Sequence, residues 1–308
     1  MTASHPHLLV TGATGLLGRP VLRACAAQPG WHVTGASFRR SGPGLERLDL
    51  SQTEQIPAFL DRLAPDVIIH AAAERRPDVS EKDPAGTRRL NVGATAALAR
   101  WAAERGAFVI YISSDYVFDG TTPPYAPESP THPVNAYGQS KLDGERAVLT
   151  AGCDAASLRV PILYGEVESL DESPVTVLAK NMLNARPGER LAMEHWATRY
   201  PTNTSDVAVV LRQMVERRLA DRGFKGIFHW SGSEPMTKYE MALAFAPLLG
   251  FDPARLVPDA TPPGAGAPRP KDCHLDASAL ERLGIGRRTP FAAAFPAILA
   301  PHLPAGAR

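Results

Sequence analysis

The sequence predicts an α/β protein with a doubly wound parallel sheet and a smaller α/β carboxyl-terminal substrate domain. Three observations carry that expectation. Short apolar runs alternate with helical stretches through the first 160 residues, and the first run leads directly into Thr11-Gly12-Ala13-Thr14-Gly15-Leu16-Leu17-Gly18. The alternation then weakens from Pro161 onward. Strands of a parallel sheet are buried on both faces, so they read as continuous apolar runs joined by covering helices.

HLLVT, residues 7–11, is the first strand, and a helix is expected over 17–27. HVTGAS at 32–37 supplies the second strand, a helix fits 54–63, and DVIIH at 66–70 supplies the third. An alanine-rich helix over 91–104 precedes FVIYIS at 108–113, the fourth strand. A further helix runs from Tyr137 to about residue 150, before a strand at ASLRV, 156–160. Pro161, Pro174, Pro187 and Pro201 then punctuate the chain, and TPPGAGAPRP at 261–270 reads as an irregular connection. Residues 1–160 are therefore expected to form a dinucleotide-binding domain. Residues 161–308 are expected to form mainly the substrate domain, with about 203–225 returning to pack on the first.

The 308 residues carry 33 Lys plus Arg against 32 Asp plus Glu, a formal net charge of +1. That balance gives no support to a nucleic-acid binder or a polybasic membrane anchor. No apolar run reaches the roughly 20 residues needed to cross a bilayer. The amino terminus lacks the pattern of a secretory signal, so a cytoplasmic protein is expected. Cys25, Cys153 and Cys273 are odd in number and far apart, which suits a reducing compartment. The nine histidines form no HExxH or similar pattern, and no metal is expected.

Gly12, Gly15 and Gly18 sit between a strand and a helix, where a Rossmann-type turn holds a pyrophosphate. The first glycine permits the turn, the second admits backbone to the phosphate, and the third allows close packing. Orphan N–H groups at the helix start then face the anion. Glycines also close ordinary turns; the position at the first strand–helix junction favours the nucleotide reading. The expected cofactor contacts here are Gly12, Thr14, Gly15, Leu16 and Leu17.

The second strand ends in Phe38-Arg39-Arg40 rather than an acidic residue. Two arginines suit a 2′-phosphate and the adenine face, so NADP(H) is favoured over NAD(H), although solvated loop charges would read the same way. Asp49 and Leu50 are placed against the adenine ring, with a plain surface aspartate as the alternative. Ala71, Ala72 and Ala73 end the third strand and leave room for a cofactor to cross closely; tight packing explains them equally. His70 reads as a structural histidine.

The fourth strand delivers Ser113, Ser114 and Asp115 to its carboxyl end, where open parallel sheets form their ligand crevice. Tyr137-Gly138-Gln139-Ser140-Lys141 places Tyr and Lys on one helix face. An isolated YxxxK is common, but this one follows both the glycine turn and the serine pair. Glu74, Arg75 and Arg76 follow the third strand, where one arginine could meet a substrate phosphate or simply join a salt-bridged loop.

In TGATGLLG, HAAA, SSDYVFDG, YGQSKLDGE and RVPILYGE, in that order, the sequence resembles the extended short-chain dehydrogenase/reductases, especially dTDP-4-dehydrorhamnose reductases. The resemblance implies that Ser114, Tyr137 and Lys141 are the catalytic set. It places Asn91 beside the proton relay, and Pro161 and Leu163 in the cofactor shell. It also implies a nucleotide-sugar substrate near Glu74, Arg75, Asp115, Tyr116, Val117, Trp196, Arg199 and Arg269, and a homodimer. His195-Trp196 and His229-Trp230 are further recognition candidates. In such a site Tyr137 would protonate a carbonyl oxygen as hydride arrives. Lys141 would tune that phenol and hold ribose, and Ser114 would orient the carbonyl.

A closer resemblance is to the regulatory beta subunits of methionine adenosyltransferase, a branch of the same family. HAAAERRPDV, AFVIYISSDYVFDGTTPPY, LRVPILYGEVESL, FHWSGSEPMTKYEMA and LGIGRRTPF carry it into both halves. It implies a cofactor-binding partner of a methionine adenosyltransferase catalytic subunit, with the segment from Phe291 through Ala307 either entering a partner groove or closing its own domain. Because every group for hydride transfer is present, the sequence favours keto-group reduction and leaves the regulatory subunit as the alternative.

Overall fold

The computed structural model describes residues 5–303. The chain opens with β1 (His7–Thr11), α1 (Gly18–Ala26), β2 (His32–Ser37), β3 (Leu45–Arg47), α2 (Ile56–Leu63) and β4 (Val67–His70). Next come α3 (Pro77–Lys82), α4 (Pro84–Arg88), α5 (Ala94–Arg105), β5 (Phe108–Ser114), α6 (Ala136–Leu149) and β6 (Ala155–Val160). The remainder runs β7 (Leu163–Tyr164), α7 (Thr176–Leu183), β8 (Leu191–Glu194), β9 (Thr202–Asn203), α8 (Thr204–Ala220) and β10 (Gly226–His229). It ends with α9 (Lys238–Phe245), β11 (Leu256–Asp259), α10 (Ser278–Glu281) and α11 (Phe291–Leu299).

Seven strands form one parallel sheet in the order β10-β6-β5-β4-β1-β2-β3. β1 lies between β2 and β4, with Val10 opposite Gly35 on one side and Ile69 on the other. Strand order reverses there, and a doubly wound sheet opens its ligand crevice at that point. Alternate strand residues serve opposite faces. Leu8, Val10, Ile69, Ile110 and Leu158 pack with Val21 and Cys25 of α1 and with Val207, Leu211 and Met214 of α8. Leu9, Ile68, Val109 and Tyr111 pack with Ile56 and Leu60 of α2 and with Ala97 and Leu98 of α5. The doubly wound parallel sheet is thus the one the sequence predicts.

Two of its strands are not legible in the sequence. β3 has one apolar residue in three, and β10 has four residues opening on a glycine, so neither shows a run above background. The helix expected over 91–104 is preceded by α4 and joined to it by a π-helical turn, Arg89–Gly93. α8 packs on the face of the main sheet that carries α1, and β10 pairs with β6, so the chain returns to the first core through residue 229.

A further buried cluster joins Tyr164, Leu178, Met182, Met241, Phe245, Phe291, Phe295 and Leu299. Phe245 and Phe295 stack at 3.9 Å. The α11 part of the 291–307 segment therefore closes its own core; residues 304–307 lie outside the described residues. No helix among the described residues is long and apolar enough to cross a membrane.

Candidate functional site

Gly12 adopts φ +67°, and a Cβ there would lie 2.9 Å from the Ala72 backbone. The turn after β1 therefore runs hard against the end of β4. A Cβ on Gly18 would fall 2.0 Å from the Gly12 carbonyl, so α1 starts in contact with the turn. Both requirements are met only by glycine. Gly15 donates to the Gly12 carbonyl at 2.9 Å, while the Thr14, Leu16 and Leu17 N–H groups find no acceptor among the described residues. Three orphan donors within one turn at a helix entrance form an anion cradle, and the residues present fit a pyrophosphate. The Leu16 and Leu17 side chains are buried, so they support the turn while their backbone faces it.

His70 is a structural residue: Nδ1 meets Thr11 Oγ1 at 2.7 Å and Nε2 meets Thr95 Oγ1 at 2.9 Å. Burial pulls its pKa down to about 3, so the ring is neutral. Ala71 to Ala73 continue past it along the crevice.

At the end of β2, the Thr14 and Ser37 hydroxyls lie 3.3 Å apart, and the Arg40 N–H donates to Ser37 Oγ at 3.1 Å. The post-strand arginines thus sit beside the glycine turn. Phe38 is 52% exposed, with the Arg39 guanidinium over its ring. Arg40 forms a bidentate pair with Glu168. Asp49 accepts from both N–H and Oγ of Ser51, and Leu50 is buried in the core with Ile56 and Phe59. That burial corrects the placement of Leu50 on the adenine ring, because its side chain is already spent on packing.

β5 ends at Ser114, whose Oγ accepts from Tyr116 N–H and donates to Asp115 Oδ1 at 3.0 Å. Tyr137 meets the Tyr116 ring edge-on at 5.7 Å, and the neighbouring Ser114 hydroxyl favours its ionised form. Gly138 makes this approach possible, since a Cβ would strike the Tyr116 carbonyl at 2.1 Å. Lys141 is buried one turn later, with Nζ 4.2 Å over the Tyr111 ring. Burial pushes the Tyr137 phenol well up and pulls Lys141 down to about 7, against the opposing Glu145 charge. Burial also raises Asp115 to about 7, against the nearby Arg199 charge and the Ser114 hydrogen bond. Near neutral pH, Tyr137 therefore keeps its proton.

Asn91 is buried in the π turn rather than opening a helix. Its Oδ1 accepts from Glu74 N–H, and its Nδ2 donates to the Glu74 carbonyl and to Ser140 Oγ. This side chain ties the loop after β4 to α6, and single π turns of this kind recur at functional sites. Pro161 follows β6, and the Leu163 carbonyl accepts from Ser173 Oγ.

Several substrate candidates have other employment. Glu74 pairs with Arg76, leaving Arg75 without an ion pair among the described residues. Arg269 pairs with Asp78 at 2.7 Å, so its guanidinium is engaged by a carboxylate rather than free. Val117 is fully buried with Phe118, Tyr125 and Leu142 and lines no open space. His229 and Trp230 are core residues, not recognition residues. Arg199 is buried and donates to the Pro270 carbonyl, while its charge acts on Asp115 and Tyr116. Trp196 is half-buried in a turn capped by Glu194.

One cluster is absent from the sequence reading. Glu145 and Arg159 form a fully buried pair, extended by Ser157, the Pro127 carbonyl and His229. The signal was an arginine in the apolar strand ASLRV, since a buried charge must be paired.

Residues 6–303 match the family model described as the RmlD substrate binding domain. The chain belongs to that family. It is 51% identical to methionine adenosyltransferase 2 subunit beta of Rattus norvegicus over 92% of this chain and 84% of the rat protein. It is 30% identical to a dTDP-4-dehydrorhamnose reductase of Aggregatibacter actinomycetemcomitans, over 77% of each chain. Among solved structures, the Bacillus anthracis dTDP-4-dehydrorhamnose reductase in complex with NADP superposes with a TM-score of 0.80 at 22% identity, covering 97% of this chain and 99% of that one. At that identity the likeness establishes the family fold.

Proposed function

We propose that this chain is an NADP(H)-binding subunit that associates with a methionine adenosyltransferase catalytic chain and regulates it. The carrying observation is the high identity to a beta subunit across both halves of the chain, well above the identity to a reductase. This reverses the order of the two readings drawn from the sequence. The orphan N–H groups of Thr14, Leu16 and Leu17 would hold the pyrophosphate, Arg39 and Arg40 the 2′-phosphate end, and Tyr137 and Lys141 the nicotinamide ribose.

Reduction of a keto group on a nucleotide-activated sugar is the second reading, favoured by Tyr137 beside Ser114 with Lys141 buried one helical turn further along α6. The cofactor would supply hydride. Ser114 would orient the carbonyl, and Tyr137 would donate its phenolic proton to the oxygen. Lys141, whose pKa burial pulls down to about 7, would in its ammonium form stabilise the phenolate left on Tyr137.

Tyr137→Phe separates the readings. A partner subunit should regulate the catalytic chain unchanged with this substitution, and the wild type should give no hydride transfer on a panel of 4-keto sugar nucleotides. Turnover by the wild type that falls at least about 100-fold in Tyr137→Phe would establish the reductase instead.

A further inference from the structure

Three arginines on the nucleotide side of the crevice are each met by a glutamate from one short segment, residues 166–172. Arg19 of α1 pairs with Glu172 at 2.5 Å and donates to the Thr14 carbonyl of the glycine turn at 2.8 Å. Arg23 pairs with Glu166 at 2.7 Å. Arg40 pairs with Glu168 through both terminal nitrogens, at 2.7 and 2.6 Å. The segment is braced internally by Glu168 N–H on Glu172 and anchored to the rest of the chain by Lys180 on Asp171 and by His302 on the Val167 carbonyl.

We infer that Glu168 is an internal stand-in for phosphate: it occupies the guanidinium edge of Arg40 that a 2′-phosphorylated dinucleotide needs, and so sets the cofactor preference of this crevice. The inference rests on the NADP(H) reading above. A guanidinium presents the same two-pronged edge to a carboxylate and to a phosphate. With both terminal nitrogens of Arg40 on Glu168, a phosphate must displace the carboxylate to gain a bidentate contact. Among the described residues Arg39 makes no such pair; it leans on Phe38 and stays available to the adenine face. Both partners of the Arg40–Glu168 pair are about half exposed, 54% and 46%. Water screens such a pair, so the exchange is cheap and the segment acts as a moderator rather than a block. NADH, without a 2′-phosphate, has no reason to displace it.

Titration of the full-length protein with NADPH and with NADH, followed by intrinsic fluorescence at fixed ionic strength, tests this. Glu168→Gln should bind NADPH about threefold to tenfold more tightly than wild type and bind NADH within about twofold of it, with the NADPH gain shrinking as salt rises. Asp221→Asn, which breaks an exposed arginine pair just past the carboxyl end of α8, should change neither affinity. Unchanged NADPH affinity in Glu168→Gln would overturn the inference. So would weaker binding of both dinucleotides, which would mean that the clasp closes over the nucleotide. A wild-type protein that binds neither dinucleotide would remove the cofactor reading itself.

Discussion

His70 and His229 are neutral because burial penalises their charged forms, and each is held near a pKa of about 3. The unfolded chain takes up those protons from about pH 6.5, so stability falls as pH drops from there toward 3. Asp115 acts in the opposite sense. Raised to about 7, it holds a proton in the folded state that the unfolded chain accepts only near 3.8, adding stability as pH falls through that window. At pH 5 the two histidines together cost about 4 kcal/mol and Asp115 returns about 3 kcal/mol. Urea denaturation at pH 7.5 and pH 5.0 should therefore show Asp115→Asn losing about 3 kcal/mol more on acidification than wild type. Equal losses would mean that Asp115 is ionised in the folded protein.

α6 is the element on which the site depends, since it carries Tyr137 and Lys141 on its crevice face and Glu145 one turn further. Glu145 receives Arg159 from β6, and Arg159 also reaches the Pro127 carbonyl and His229, so one buried charge pair locks α6, β6, β10 and the loop after β5. Removing one partner strands the other charge: Arg159→Met should cost about 3–5 kcal/mol in thermal or urea unfolding. Glu145→Leu combined with Arg159→Met should recover most of that, and a double variant as unstable as the single would contradict this account. The elements around this lock were largely legible. Runs such as DVIIH and FVIYIS are strands because both faces are buried, and the glycine turn and YxxxK gave the crevice. What local pattern could not carry was tertiary employment. Val117, Leu50 and Trp230 look like site residues beside the motifs, yet each is spent on a core assembled from distant segments. Arg269 looks free until α3 brings Asp78 to it. β3 and β10 are too short to register as strands before the neighbouring strand supplies their hydrogen bonds.

At the scale of the whole molecule, the chain leaves the sheet after β6, returns through α8 and β10, and leaves again to finish a second buried cluster. Residues bound for that cluster are thus interleaved in sequence with residues of the first core. α11 contributes Phe291, Phe295 and Leu299 to the second cluster, so truncation from residue 291 would open that core rather than trim a partner-binding tail. This arrangement places the proposed cofactor crevice at the carboxyl ends of β1, β4 and β5. The segment 166–172 crosses the nucleotide side of that crevice and contacts His302 near the end of the described chain. If this fold serves as the proposed cofactor-binding partner of a methionine adenosyltransferase, the two chains form one complex. Sedimentation velocity of the purified chain mixed with a methionine adenosyltransferase catalytic chain, in the presence of NADPH, tests it most directly. A faster-sedimenting species that contains both chains and retains NADPH absorbance is expected; two boundaries that sediment as the separate proteins at every ratio would rule the partnership out.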